Sequence, residues 1–205
     1  MSFVKKWINC ILGFVAGVCG LALSACSGMV ASGMVDASAL GMDKNPIDST
    51  TKAFKVLTDS SLYTEAKELG IGKEFMTMKV FAIITLVISV LLIVYAIVML
   101  LNNLNVIKLE NKMLNIIGIS LFALLLISTI GLLISSNNYA NAMEDSMIKA
   151  LKSQFILGGV PEAALSNIKF DLNVKVGVYQ PAMLIISIIS AIAVSVFTFI
   201  NRKEA

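Results

Sequence analysis

The sequence predicts an all-α integral membrane protein: four transmembrane helices, or three plus a lipid anchor, with a small α+β extracytoplasmic cap. Three observations lead there. Hydrophobic residues make up 58% of the 205-residue chain and charged residues only 14%, against roughly 45–50% and about 25% in a soluble domain. The apolar excess collects in blocks free of Asp, Glu, Lys and Arg, at residues 7–25, 80–101, 113–135 and 181–200. Two polar connectors, residues 26–79 and 136–180, then hold nearly all the remaining chain.

Each block has about the 20 residues that a helix needs to cross a hydrocarbon layer of roughly 30 Å. Backbone N–H and C=O groups find no water there, so a span must satisfy them internally, as a helix does. The short segments 1–6, 102–112 and 201–205 carry Lys5, Lys6, Lys108, Lys112, Arg202 and Lys203 against only Glu110 and Glu204. Short cationic segments lie on the cytoplasmic side. Both termini and the 102–112 loop are therefore expected inside a cell membrane and both long connectors outside it. Trp7 and Tyr179 fit interfacial aromatic positions.

The first block has two readings. A cationic start, "MSFVKKW", precedes the apolar run "ILGFVAGVCGLAL" and then "LSAC", the order of a secretory signal peptide. Leu23-Ser24-Ala25-Cys26 resembles the lipobox of bacterial prolipoproteins, and the resemblance covers residues 1–26 only. It implies cleavage before Cys26 and lipidation of that thiol. In the other reading the block stays as a helix. Gly13 and Gly17 are four residues apart, as are Ala16 and Gly20, and small residues at that spacing let two membrane helices approach closely. Either outcome leaves residue 26 outside and the other three blocks in the same order.

The first connector opens with "SGMV" at 27–30, repeated at 32–35. Its small residues, and the Gly and Pro up to residue 50, read as a flexible tether. Farther on, Leu62, Ala66 and Leu69 fall at helical spacing after possible caps at Asp59, Ser60 and Ser61, and Gly70 can end the helix. One or two short surface helices are expected. In the second connector Met143, Met147, Leu151 and Phe155 recur every four residues before Gly158-Gly159, an amphipathic helix with its stop. Pro161 opens a short helix over "VPEAALSN". Phe170, Leu172, Val174, Val176 and Val178 then alternate with polar residues or glycine, a strand signal. A lone strand needs a partner. The expected mates are residues near 74–80, in "KEFMTMKVF", or a neighbouring subunit, with the amphipathic helix packed over the strand.

The chain contains no His, so it lacks the commonest general base and metal ligand. Its cysteines, Cys10, Cys19 and Cys26, sit at the N-terminal end, leaving the connectors without a disulfide framework. No phosphate-binding glycine loop is present. No catalytic residue, metal site or cofactor is expected, and a net charge of +3 gives no footing for nucleic acid. The charge-free blocks lack the ionisable residues that mark ion pathways. Ser187 and Ser190, joined by Ala191 and Ser195, form a small-residue face on the last block, suited to close helix packing.

The reading is a non-enzymatic, oligomeric structural or accessory subunit that meets partners through its outer segments. An oligomeric pore or transporter subunit is the first alternative and a membrane-embedded enzyme the second. The plan of four spans and two outer loops is similar to that of claudins and related tetraspan proteins. Their W…C…C pattern is absent from the first loop, so the likeness is one of architecture alone.

Overall fold

A computed structural model describes residues 2–203, and its longest elements follow the apolar blocks. Helix α1 is Ser2–Leu23, α4 is Gly72–Asn103, α5 is Asn111–Leu157 and α6 is Tyr179–Lys203. Between α1 and α4 lie strand β1 (Ser27–Asp36), strand β2 (Asn45–Lys52) and the short helices α2 (Ala53–Thr58) and α3 (Ser61–Glu68). Strand β3 is Lys169–Val176. Three helices, α4, α5 and the Tyr179–Val196 part of α6, are long and apolar enough to cross a membrane; Trp7–Leu23 is a shorter apolar helix. The chain divides into an apolar-helix unit (Met1–Ala25, Phe81–Leu133, Tyr179–Ala205) and an α/β unit (Cys26–Val80, Ile134–Val178).

Helix ends follow from local chemistry. Asp59 Oδ1 accepts hydrogen bonds from the Ser61 N–H (2.9 Å) and Oγ–H (2.7 Å) at the start of α3. Gly70, Asn105 and Gly159 all have positive φ and close the ends of α3, α4 and α5. At each, the N–H of the next residue reaches the carbonyl five positions back: Ile71 to Ala66, Val106 to Leu101, and Val160 to Phe155. That is a Schellman closure. The two glycine stops are legible in the sequence; Asn105 acts as a third.

The second long helix corrects one expectation. The apolar block 113–135 and the amphipathic helix around 143–155 are one 47-residue helix, without a break at 135/136. "SSNNYANAMEDS" is polar but contains no Gly or Pro to stop it. Likewise α4 starts at Gly72, so residues 74–80 are helical and cannot be the strand mate of β3.

That mate is β1. The sheet is antiparallel with order β2-β1-β3, and β1 lies in the middle. Its register sets Val35 opposite Phe170, Gly33 opposite Leu172, Ala31 opposite Val174 and Met29 opposite Val176. β3 thus has its partner within the chain, and no subunit is needed to pair it. Val178 falls beyond the strand and is exposed. The expected tether is therefore the central strand. Met29, Ala31 and Val35 are buried on one face, whereas Ser32 and Met34 are exposed on the other. Gly33 shows why small residues occur here: a Cβ at this position would collide with the Asp171 carbonyl and lie 2.8 Å from Leu172 Cα. Composition reads as flexibility what packing uses as clearance.

β2 is an edge strand with almost every residue partly or fully exposed. Pro46, opposite Met34, is tolerated because an edge position need not donate outward. Helix α5 does pack on the sheet. Leu151 and Phe155 lie against Val35, Ala37 and Ile168, and the Phe155 and Phe170 rings meet edge to face at 6.0 Å. After β1, Asp36 accepts from the Ser38 N–H (3.1 Å) and Oγ–H (2.6 Å) and pairs with Lys44 (3.0 Å). These partners hold its carboxyl far below the usual aspartate range.

Gly33→Val is expected to destabilise the protein by about 1–3 kcal/mol, the range of overpacking, read as a lower melting temperature in detergent. The Asp36 contribution has a definite sign. A depressed carboxyl stabilises above the unfolded value of about 3.9 and is lost as pH falls towards the folded one. Asp36→Asn should therefore flatten the acid side of the melting profile, below about pH 4, and leave its neutral-to-alkaline slope unchanged.

Candidate functional site

Within the apolar-helix unit, the interior is more polar than the outside. Val87, Val94, Ile127, Ile185, Ile189 and Ile192 are exposed, whereas Thr85, Ser89, Thr129 and Ser187 have no accessible surface. The hydroxyls are used between helices and within them. Thr85 Oγ1 donates to Ser128 Oγ at 3.2 Å between α4 and α5. Thr129 and Ser187 share a hydrogen bond of 2.9 Å between α5 and α6. The single Thr85 hydroxyl hydrogen is shared between Ser128 and the Phe81 carbonyl, while Ser89 donates to the Thr85 carbonyl and Ser128 to that of Leu125. Groups consumed in this way tie helices together and leave little for a solute.

The expected small-residue faces map onto this interior unevenly. Gly13, Ala16, Gly17 and Gly20 are all buried on α1. A Cβ on Gly17 would lie 2.6 Å from the Ser89 carbonyl oxygen, and one on Gly13 would lie 3.3 Å from that of Leu92. On Gly20 it would strike the Ser89 hydroxyl. The glycine ridge of α1 thus sits directly on the α4 backbone, and Cys10 Sγ donates to the Ala96 carbonyl at 3.2 Å. On α6 the buried face is Met183, Ser187, Ser190 and Val194. Of the predicted small-residue face, Ser187 and Ser190 belong to it, whereas Ala191 is half-buried and Ser195 exposed. A spacing of four drifts off a 3.6-residue turn, which the 3- and 4-residue steps of the observed face correct. Tyr179, expected at an interface, is buried.

In the α/β unit Cys26 is half-buried next to β1, and its carbonyl accepts from the Ala53 N–H at 2.9 Å. All three cysteines are free thiols. The strand residues Phe170, Leu172, Val174 and Val176 face inward with Met29, Ala31 and Val35. The outer edge of β3 is in part occupied: Glu144 on α5 accepts from the Val174 N–H at 3.1 Å. No sequence signal marks Glu144 for this role, because the contact joins residues 30 apart. Behind the sheet lies a space of about 60 Å³ lined by residues including Ala31, Val56, Ala66, Phe75, Tyr139 and Met143. Small-molecule pockets run to roughly 300–1,000 Å³, so this is a packing gap. Among the described residues no group of three His, Cys, Asp or Glu is placed to hold a metal ion.

No protein-family model matches the chain, and neither curated proteins nor solved structures yield a significant similarity.

Gly17→Leu should break the seam. Overpacking of about 1–3 kcal/mol is expected as a lower melting temperature, whereas the exposed neighbour change Val18→Leu should be close to neutral. Equal melting of Gly17→Leu and the parent protein would show that α1 does not pack on α4.

Proposed function

We propose that this protein is a non-enzymatic, multi-span membrane protein, a structural or accessory subunit that meets its partners through the α/β unit. The observation that carries the reading is the inverted polarity of the apolar-helix unit. Isoleucine and valine outside and paired hydroxyls inside suit a lipid solvent, in which helix contacts rest on small residues and hydrogen bonds. Support for a subunit rather than a pore comes from the same hydroxyls, which are consumed by one another and by their own helices. The α/β unit offers recognition surface instead, with Ser32, Asp48, Asp171, Asn173 and Lys175 on the exposed face of its sheet.

In this reading four helices span a cell membrane, with both termini and the 102–112 loop cytoplasmic and the α/β unit outside. Association with further copies or with other membrane proteins follows from the subunit role. The first helix is retained. A removable signal segment has no need of glycines fitted to a neighbouring helix, and Gly13 and Gly17 are fitted to the backbone of α4 and Gly20 to the Ser89 side chain. On this view Leu23-Ser24-Ala25-Cys26 matches a lipobox by sequence while Cys26 remains a free thiol between α1 and β1.

Intact-mass analysis of the protein purified from membranes tests this. The expected mass includes residues 1–25 with Cys26 unmodified; an acylated Cys26 as N-terminus would overturn the retained helix. In a background with Cys10, Cys19 and Cys26 replaced by Ser, a cysteine-reactive, membrane-impermeant label should miss Lys108→Cys in intact cells and reach Ser32→Cys, and the reverse pattern would invert the topology. Solute flux in vesicles reconstituted with the purified protein would replace the subunit reading with the pore.

A further inference from the structure

Among the described residues, the buried side-chain atoms of the apolar-helix unit without a hydrogen-bond partner include one on α1 and one on α4. They are Asn9 Oδ1 on α1 and the Tyr95 hydroxyl on α4. Asn9 is 8% exposed and Tyr95 5%. Both point to the same turn of α5. The Asn9 amide donates through Nδ2 to Asn115 Oδ1 at 3.4 Å, a long and weak bond. The Tyr95 ring end lies over Gly118, three residues on, where a Cβ would collide with the hydroxyl. Residues three apart on a helix share a face at about 5–6 Å. Asn9, Tyr95 and Asn115 therefore converge at one junction of three helices, with Cys10, Ala96, Met99 and Leu114 as its apolar surroundings.

In hydrocarbon no solvent relieves a bare carbonyl or hydroxyl. Native interiors leave few such atoms unsatisfied, and a buried water bonded to two or more polar groups is the usual remedy. We infer that this junction is a binding site for one water molecule, which accepts from the Tyr95 O–H and donates to Asn9 Oδ1. The remaining water hydrogen and lone pair face the Asn115 amide. Gly118 belongs to the site, since only a residue without Cβ leaves room for the phenol end above α5. A metal ion suits it poorly, because three neutral side-chain oxygens fall short of the six to eight oxygens taken by calcium. The water makes α1 a hydrogen-bonded member of the bundle, joined to α4 and α5 together. The inference rests on α1 being retained in the mature protein.

A double-mutant cycle in the full-length protein, purified in mild detergent, tests it on material whose intact mass includes residues 1–25. Tyr95→Phe removes only the hydroxyl. With water in place the change strips a partner from it, and the melting temperature should fall by about 2–4 °C. With an empty junction the same change deletes an unsatisfied group, and the melting temperature should rise or stay level. Asn9→Leu removes the other ligand, and in the double variant the two losses should be less than additive, because the water is lost once. Magnetisation transfer from long-lived water to the Tyr95 ring protons should appear in the parent protein and vanish in Asn9→Leu. A rise or no change for Tyr95→Phe, strict additivity, or absence of that transfer in the parent protein overturns the site. Material lacking residues 1–25 would instead sink the retained helix, so the two failures are separable.

Discussion

In the proposed membrane setting, the constraint on which the apolar-helix unit depends is the inability of hydrocarbon to accept or donate a hydrogen bond. It compels each apolar block to form a helix, since no other open structure satisfies every backbone group within one segment. The same solvent removes the hydrophobic drive for helices to associate with each other. Contact must come from close approach and from polar pairs. Gly17 against the Ser89 carbonyl and Thr129 against Ser187 are the two forms that contact takes here. The first brings backbones together; the second adds a directional bond of 2.9 Å.

The α/β unit shows the opposite pattern, with apolar side chains inside and charged ones outside. Met29, Ala31, Val35, Leu172 and Val174 are buried, while Asp171, Asn173 and Lys175 are solvated. A three-stranded sheet is close to the smallest that persists, and it does so by packing a face on helices. Leu151 and Phe155 of α5 supply part of that face. Glu144, from the same helix, occupies one edge donor of β3, a position from which an unpaired strand would recruit other chains. One helix thus serves both the core of the sheet and the protection of its edge.

The proposed hydration site extends the first theme. Asn9 Oδ1 and the Tyr95 hydroxyl are buried without a protein partner, so their satisfaction depends on what lies beside them. Such an arrangement is expensive to leave incomplete, which makes it specific: α1 fits the bundle in one register or leaves two groups bare. The glycine ridge supplies the matching steric constraint. Residues 9, 13, 17 and 20 lie close to one stripe of α1, and together they turn a helix of ordinary apolar composition into one with a single preferred seat.

Periodicity and charge in the sequence determined the long helices, their glycine stops, the amphipathic face of α5 and the strand at 169–176. These are signals carried by neighbours a few residues apart. The role of "SGMVASGMV" was out of reach, because small residues and glycine fit a loose tether as well as a crowded central strand. Only the presence of β2 and β3 on either side decides between them. The uninterrupted run of α5 through "SSNNYANAMEDS", the cap that Glu144 places on Val174, and the seating of the Tyr95 hydroxyl over Gly118 were likewise settled by tertiary structure. The last two join residues tens of positions apart. Which residue types form a helix or strand is a local question, answered by the chain's own spacing. Which polar atoms are left to satisfy, and which glycines have a neighbour's backbone against them, depends on segments that the fold alone brings together.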